Sequence, residues 1–438
     1  MKIFTFLIRK WNIISLVKLP NRGGLFMKKF LMGLTLTGLL AFGGGNVLAA
    51  DKTDYIVTFS GEEVPQSLVA EMESLGAEIV QQVPQIGVVN VSTSNPNFKA
   101  WADSQPGIAA ISEDVEIRSP QLEVEAAPES VRADAAGADL YEQYQWDIKR
   151  VTNNGKSWEL NPGNHDVVVA VIDGGVDYTH PDLQKNLLYS KSFVPGTAQN
   201  SFNGDHGTHV AGAIAANGRV MGVGPELGIA SYRVSNWTSI LAGVTTAADD
   251  GVDVANLSLG TYTFKNNEQE RTLHLAASRA VRYAKSKGMI IVGANGNDAI
   301  DLGKKMATEP GEGAQWEGPL FDTFTDIPWV ISVSSSTIHD GLAYYSNYGN
   351  VDLAAPGGDS EARSYNTIRM SRGGYGTMNG TSMAAPKVAA AAALVKAENP
   401  ELEPAQIISL LQQTADGGTG KSRQYFGHGI VNVYNALQ

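Results

Sequence analysis

The stretch VVVAVID, at residues 167–173, is an apolar run that ends in a carboxylate. A short run without polar alternation is typical of a β-strand that is covered on both faces. Comparable runs follow, with helical patterns between several of them. The runs lie at 227–234, 252–259, 289–295 and 329–335, and the helical patterns at 209–216, 240–251 and 271–288. This alternation predicts an α/β domain over 143–438 with a mostly parallel sheet between layers of helices.

A smaller unit precedes this domain. Residues 54–60 and 86–91 have strand patterns, and residues 65–80 have helical spacing between them. With a further helix and strand, they predict a compact α+β domain of ferredoxin-like β-α-β-β-α-β order over 51–118. Residues 119–142 are rich in alanine and acidic side chains and lack apolar periodicity, so we expect an exposed linker.

The N-terminus has the features of a secretory signal peptide over 27–50: a basic start, a thirteen-residue apolar run and small residues after it. The run is too short to span a membrane. Residues 1–26 add a redundant basic and apolar stretch, so we expect translation to start at Met27. A membrane anchor formed by residues 1–18 is the alternative, but Arg9 and Lys10 interrupt it. We therefore expect a secreted protein with no membrane attachment after signal cleavage.

Composition excludes several classes of function. The chain has 438 residues, no cysteine and a formal net charge of −12. Without cysteine there is neither a disulfide framework nor a thiolate nucleophile. The acidic balance lacks the basic face that a nucleic-acid partner requires.

Three polar residues stand at the ends of predicted strands or helices: Asp173, His206 and Ser382. Taken singly, each has an ordinary explanation as a turn residue, a structural histidine or a helix N-cap. Together they supply a nucleophile, a base and a carboxylate that orients the base. Their chain order excludes the α/β-hydrolase and chymotrypsin arrangements and leaves that of subtilisin. His206 and His209 have metal-pair spacing, but no third ligand accompanies them.

Three blocks of sequence resemble the signatures of the subtilisin-like serine proteases: VIDGGVD followed by HPDL, HGTHVAGAIAA, and NGTSMAAP. The resemblance covers roughly residues 145–438 and implies a subtilisin-like fold with peptide or protein substrates. It makes Asp173 the orienting carboxylate, His206 the general base and acid, and Ser382 the nucleophile. His209 matches a histidine that is structural in the family.

The same resemblance assigns further residues. In VGANGND, Asn297 rather than Asn295 matches the side-chain donor of the oxyanion hole. Ser258, Leu259 and Gly260 match the edge strand that pairs with the substrate and lines the first specificity pocket. Asp298, next to Asn297, is expected at the rim of that pocket, where it favours a basic side chain before the cut bond (position P1).

Residues 54–118 resemble the inhibitory propeptides of this family. The resemblance implies that this domain assists folding and blocks the cleft as an intramolecular inhibitor, with the maturation site in the linker. We expect a monomer and no cofactor for catalysis.

Four departures from the family pattern qualify these expectations. Gly174 stands where serine or threonine is usual, and Lys387 stands where histidine is common, with no evident catalytic consequence. The loop at 215–225 is shorter than the family's calcium loop, which disfavours a structural calcium site there, although Asp182 matches one of the ligands of that site. The segment 233–240 lacks the longer loop that forms the far side of the substrate groove.

Three functions follow from these features. A secreted endopeptidase with broad specificity, made as an inhibited zymogen, is the first. A dedicated processing protease, of the type that removes lantibiotic leader peptides, is the second. The third is a non-catalytic binding protein on the same scaffold, which the joint presence of Asp173, His206, Asn297 and Ser382 disfavours.

Overall fold

The computed structural model describes residues 51–117, 125–126, 140–264, 267–303, 320–322, 324–417 and 423–438. The predicted signal peptide, the extension before it and most of the predicted linker lie outside the described residues. Within the described ranges, no helix is both long and apolar enough to cross a membrane.

The first elements follow the predicted β-α-β-β-α-β order: β1 (Thr53–Phe59), α1 (Gln66–Ser74), β2 (Glu78–Val83), β3 (Val88–Thr93), α2 (Phe98–Asp103) and β4 (Ile108–Glu113). The strands form an antiparallel sheet in the order β2-β3-β1-β4. One face of this sheet buries Val57 and Val89 against Met72 of α1 and Phe98 of α2. Alternating apolar side chains along each strand therefore supply a small core of its own.

The remaining elements follow in chain order: β5 (Glu125–Ala126), α3 (Leu140–Tyr144), α4 (Trp146–Thr152), α5 (Lys156–Leu160), β6 (Val168–Asp173), α6 (Pro181–Gln184), β7 (Leu187–Ser192), α7 (His206–Ala215), β8 (Gly228–Arg233), α8 (Trp237–Asp249), β9 (Val254–Leu257), β10 (Tyr262–Phe264), α9 (Glu268–Ser286), β11 (Ile290–Ala294), β12 (Leu320–Asp322), β13 (Val330–Ser336), β14 (Leu353–Pro356), β15 (Ser364–Thr367), β16 (Tyr375–Met378), α10 (Thr381–Glu398), α11 (Pro404–Thr414), α12 (Arg423–Phe426) and α13 (Val433–Ala436).

Seven of these strands form one parallel sheet in the order β14-β13-β11-β9-β6-β8-β7. Strand β6 lies inside it and is covered on both faces. Val169 and Val171 pack on the side of α7 and α10, whereas Ala170 and Ile172 pack on the side of α8 and α9. Because both faces are buried, the strand has no polar alternation, which explains the apolar run at 167–173. The predicted parallel sheet between helical layers is confirmed.

Helix α10 runs through the densest part of the core. It packs against α7 and against strands β9, β11, β13 and β14, and residues 389–393, all alanine, are fully buried. Small side chains let the helix approach the sheet closely enough to exclude voids. The helix thereby fixes the height of its first turn, which carries Ser382, relative to the strand ends.

The N-terminal sheet lies against α8 and α9. Its second face contributes Ile56 and Val88 to the core of those helices. Arg279 of α9 donates hydrogen bonds to the carbonyl oxygens of Gly61 and Ile86, at 3.0 and 3.1 Å. Asp114 accepts a hydrogen bond from Thr238 N at the start of α8, where the helix dipole favours a carboxylate.

Replacing Ala391 of α10 by leucine should destabilise the protein by about 1–3 kcal/mol, because the added side chain has no space in a filled core. Ala70, on the exposed side of α1, offers the same substitution without that constraint, so Ala70→Leu should change stability by less than about 0.5 kcal/mol. Chemical denaturation of both variants measures the difference. Equal effects at the two sites would show that α10 is not tightly packed.

Candidate active site

Asp173 and His206 meet where β6 ends and α7 begins. Asp173 is the last residue of its strand and is 1% exposed, while His206 is the first residue of its helix. His206 Nδ1 lies 3.0 and 2.9 Å from the two carboxylate oxygens of Asp173. A side chain on Gly207 would collide with the carbonyl oxygen of Gly175, so a glycine next to His206 allows this close approach. The departure at Gly174 leaves a donor, since its N–H bonds Asp173 Oδ1 at 2.7 Å.

The carboxylate decides the protonation of His206. An ionised carboxylate only accepts hydrogen bonds, so Nδ1 carries the proton and Nε2 of the neutral ring keeps a lone pair. Among the described residues, Nε2 has no hydrogen-bond partner. Burial lowers the pKa of His206, but the charge of Asp173 and the hydrogen bond to it outweigh burial, and the pKa is raised overall.

Ser382 lies inside the first turn of α10, because the helix begins at Thr381 and its N-cap is Gly380. The N-cap interpretation of Ser382 is therefore wrong. Its Oγ donates to the carbonyl oxygen of Ser258 at 3.2 Å rather than to His206. Pro386 has no N–H, so the Ser382 carbonyl lacks its usual helical donor and accepts a hydrogen bond from Ser258 Oγ at 2.8 Å.

Asn297 lies two residues beyond the predicted alternative, Asn295, whose side chain is fully buried. Thr381 donates to Asn297 Oδ1 through both its N–H and its hydroxyl, each at 2.9 Å. These two donors fix the orientation of the amide and leave Nδ2 without a partner among the described residues. Gly296 has φ +96°, and a side chain there would collide with the Tyr262 hydroxyl, so the turn requires glycine.

Residues 258–260 follow the end of β9 and form no regular element of their own. A Cβ atom on Gly260 would lie 3.5 Å from Oδ1 of Asp322, whose side chain is buried. Tyr262 pairs with Asp322 across β10 and β12 and donates a hydrogen bond to exposed Asp298. Two carboxylates thus lie near the segment that the resemblance assigns to the specificity pocket.

These two carboxylates have no counter-charge among the described residues. None of the ion pairs between described residues involves Asp298 or Asp322. Burial, reinforced by the charges of Asp326 and Asp298, raises the pKa of the Asp322 carboxyl well above its usual range.

His209 is fully buried and its Nε2 lies 3.2 Å from the carbonyl oxygen of Ser364. Burial, helped by the positive charge of Lys387, lowers the pKa of His209 to about 3. The imidazole is therefore neutral at ordinary pH. Lys387 is itself fully buried and paired with Asp147, so the residue for which the sequence suggested no consequence lies close to the site.

Asp182 remains a candidate calcium ligand from the sequence alone. In the structure its carboxylate accepts hydrogen bonds from Val220 N at 2.9 Å and from the Tyr375 hydroxyl at 3.2 Å. The described residues contain no group of three or more acidic or histidine side chains arranged to hold a metal ion.

The fold thus brings Asp173 into contact with His206, and Ser382 into contact with Ser258. Asn297 is bound by Thr381, the residue before Ser382. Sequence reasoning missed Thr381, Tyr262 and Asp322. Thr381 lies inside the NGTSMAAP block and was open to recognition as a helix-start donor. Asp322 lies within a stretch, 299–327, that has no clear pattern or motif, so only the pairing of β10 with β12 reveals it.

The sequence matches the family model described as the Subtilase family over residues 164–429. The chain is 28% identical over 411 residues to the epidermin leader peptide-processing serine protease EpiP of Staphylococcus epidermidis, covering 82% of this chain and 88% of the relative. It is 35% identical over 314 residues to the thermophilic serine proteinase of Bacillus sp. strain AK1, covering 68% of each. A match at 30% identity to the alkaline protease of Shouchella clausii covers 94% and 98% of the two chains.

Solved structures are also similar. The crystal structure of EpiP from Staphylococcus aureus superposes with a TM-score of 0.74 at 27% identity, over 88% of this chain and 98% of that one. The nisin leader peptidase NisP of Lactococcus lactis gives a TM-score of 0.61 at 27% identity, over 69% and 95%.

The two histidines of α7 should titrate far apart. We expect the His206 imidazole to titrate above pH 6.5, and His209 to stay neutral down to about pH 3. Since an unfolded chain protonates both near pH 6.5, the depressed pKa of His209 should make the protein less stable as pH falls from 6.5 towards 3. Imidazole NMR signals, assigned with a His209→Gln variant, measure both titrations. A His206 pKa below 6.5 would contradict the pairing with Asp173.

Proposed function

Because the chain belongs to the subtilase family and is a serine endopeptidase, we propose that Asp173, His206 and Ser382 form its catalytic triad. The observation that carries the proposal is the imidazole of His206, oriented through Nδ1 by a buried carboxylate while Nε2 is left without a partner. His209 also has a buried ring nitrogen without a partner among the described residues, but its other nitrogen lies against a carbonyl oxygen rather than a carboxylate. At His206 the free lone pair is available to a nucleophile.

In the proposed reaction, Ser382 Oγ turns from the Ser258 carbonyl to His206 Nε2 and attacks the carbonyl carbon of the substrate. Nε2 takes the hydroxyl proton, and Asp173 stabilises the resulting imidazolium. His206 then gives the proton to the leaving amine. In the second half of the reaction His206 takes a proton from the attacking water and returns it to Ser382 Oγ as the acyl-enzyme is hydrolysed. Because the pKa of His206 is raised, activity should be lost on the acid side as pH falls through that value.

The negative charge that develops on the substrate oxygen requires fixed donors. We assign this role to Nδ2 of Asn297 and to the backbone N–H of Ser382. Thr381 supports the assignment, since its two hydrogen bonds hold the amide through Oδ1 and leave Nδ2 without a partner among the described residues. In subtilisin, loss of the equivalent donor is known to reduce kcat by about 10²–10³.

We further propose that residues 51–118 are an inhibitory propeptide of a secreted, monomeric zymogen. The contacts of the N-terminal sheet with α8 and α9 support this. Ile117 N also donates to the Ser235 carbonyl at 3.0 Å, and β5 pairs with β16, which leads directly into Gly380 and Ser382. The chain on each side of residues 118–124 is thereby paired with the peptidase domain, as expected of a segment that has not yet been cut.

Two substrate ranges are compatible with this chemistry. Broad degradation is the simpler one. Processing of a peptide precursor is favoured by the similarity to proteases that are named for processing the epidermin and nisin leader peptides. In both cases the proposed substrate is a peptide or protein, and the proposed reaction involves no nucleic acid, membrane or catalytic cofactor.

Self-processing tests the triad. Expressed without residues 1–50, the wild-type chain should lose the segment that ends within 119–142, and Ser382→Ala should stay intact, because only an activated serine can cut. Intact mass spectrometry after overnight incubation measures both, and the cut residue reports the enzyme's own preference.

A wild-type chain that stays whole calls for a second measurement on propeptide-free protein. If the wild type reacts with a fluorophosphonate probe and Ser382→Ala does not, the proposed triad stands and another protease must remove the propeptide. No reaction in the wild type would instead identify a non-catalytic protein on this scaffold.

Asp298 and Asp322 generate a prediction for substrate choice. We expect kcat/KM to be higher for peptides with arginine at P1 than for those with leucine. Asp322→Asn should reduce the arginine value by about 10–100-fold, the scale of a hydrogen bond to a charged group, and leave the leucine value unchanged. Asp298→Asn should have a smaller effect, since Asp298 is exposed.

The preference should also depend on pH. Protonation of Asp322 removes its charge, so selectivity for arginine should rise with pH through the raised pKa of this carboxyl. Equal rates for arginine and leucine peptides at every pH would exclude a basic P1 preference.

A further inference from the structure

A buried ion pair lies behind the triad. Lys387 Nζ of α10 is 2.8 Å from Asp147 Oδ2 of α4, and both side chains are fully buried. Ser364 of β15 donates its hydroxyl to the same carboxylate oxygen at 2.5 Å. Among the ion pairs of the described residues, no other has both partners fully buried.

Stability alone gives a weak reason for such a pair. Removing two charges from water has a large desolvation penalty, and apolar residues of similar volume are often at least as stabilising. A buried pair is therefore expected where it fixes a geometry that apolar packing leaves loose. The question is which geometry this pair fixes.

The lysine reaches the first turn of α10. Its Nζ donates to the Met383 carbonyl oxygen at 2.9 Å, one residue after Ser382. In this turn the backbone hydrogen bonding is incomplete, because Pro386 has no N–H to donate to the Ser382 carbonyl. That carbonyl accepts a hydrogen bond from Ser258 Oγ instead. The Ser382 carbonyl thus depends on a side-chain donor. The Met383 carbonyl, whose helical donor is the backbone N–H of Lys387, receives a second donor from Lys387 Nζ.

The same cluster reaches the helix of the base. Ser364 accepts a hydrogen bond from His209 Nε2 through its carbonyl oxygen, and His209 lies one turn after His206 on α7. The charge of Lys387 contributes to the lowered pKa of His209. A single buried cluster therefore contacts the helix that begins with the base and the helix that carries the nucleophile.

We propose that Lys387 and Asp147 are positioning residues, which hold the first turn of α10 so that Ser382 faces His206. The proposal rests on the triad proposed above. Asp147 pairs with the ammonium group, which donates to Met383, and this requires α4 to be docked against α10. The pair acts on the rate of the chemical step rather than on substrate affinity.

The experiment compares neutral pairs in the full-length chain. Asp147→Leu with Lys387→Met removes the charges and the donor to Met383, whereas Asp147→Asn with Lys387→Gln removes the charges but keeps an N–H donor. We expect the first pair to lower kcat at least about 10-fold with KM within twofold, at a temperature where circular dichroism shows native protein. The second pair should recover most of that loss.

A matched control lies on the same helix. Arg150 of α4 pairs with Asp340 and Asp416 and does not belong to the buried cluster, so Arg150→Leu should lower Tm and leave kcat unchanged. Wild-type kcat in the leucine–methionine pair, or a changed KM with unchanged kcat, would overturn the proposal. If the leucine–methionine pair does not fold, the asparagine–glutamine pair is compared with the single variant Lys387→Met. Equally low kcat values in these two folded variants would also overturn the proposal, because the retained N–H donor would then have no effect. An inactive wild type would refute the triad instead.

Discussion

The close packing of α10 against the parallel sheet is the constraint on which the site depends. The helix is surrounded by β9, β11, β13, β14 and α7, and only a surface of alanine side chains lets it lie so deep. Its first turn then sits beside the ends of β9 and β11, where Ser258 and Asn297 bond to residues 381 and 382. A shift of the helix would move the nucleophile and both of these contacts together.

The two histidines of α7 differ in pKa because their charged neighbours differ. His206 faces a buried carboxylate and has a raised pKa, while His209, one turn later, faces a carbonyl and a lysine and has a pKa of about 3. The two imidazoles have the same chemistry and opposite shifts because only one of them contacts a negative charge. The negative charge near His209 belongs to Asp147, which is already neutralised by Lys387.

The N-terminal sheet uses a different kind of contact. Arg279 binds backbone carbonyl groups of the sheet, and Asp114 binds the N-terminus of α8. These contacts with backbone groups and with a helix N-terminus add to the apolar packing of Ile56 and Val88 on α8 and α9. The chain then continues along residues 235–237, where Ile117 N donates to the Ser235 carbonyl and Trp237 N donates to the Val115 carbonyl.

The sequence by itself determined the strands β6, β8, β9, β11 and β13, because a strand buried on both faces must be apolar throughout. It also determined Asp173, His206, Asn297 and Ser382 as candidates, because their order and neighbours match a known pattern. Only the tertiary structure placed Ser382 inside α10, brought Asp322 beside Gly260, and paired Lys387 with Asp147 across 240 positions. These contacts join residues that are distant in the chain, and no local periodicity or motif encodes which buried charge meets which partner.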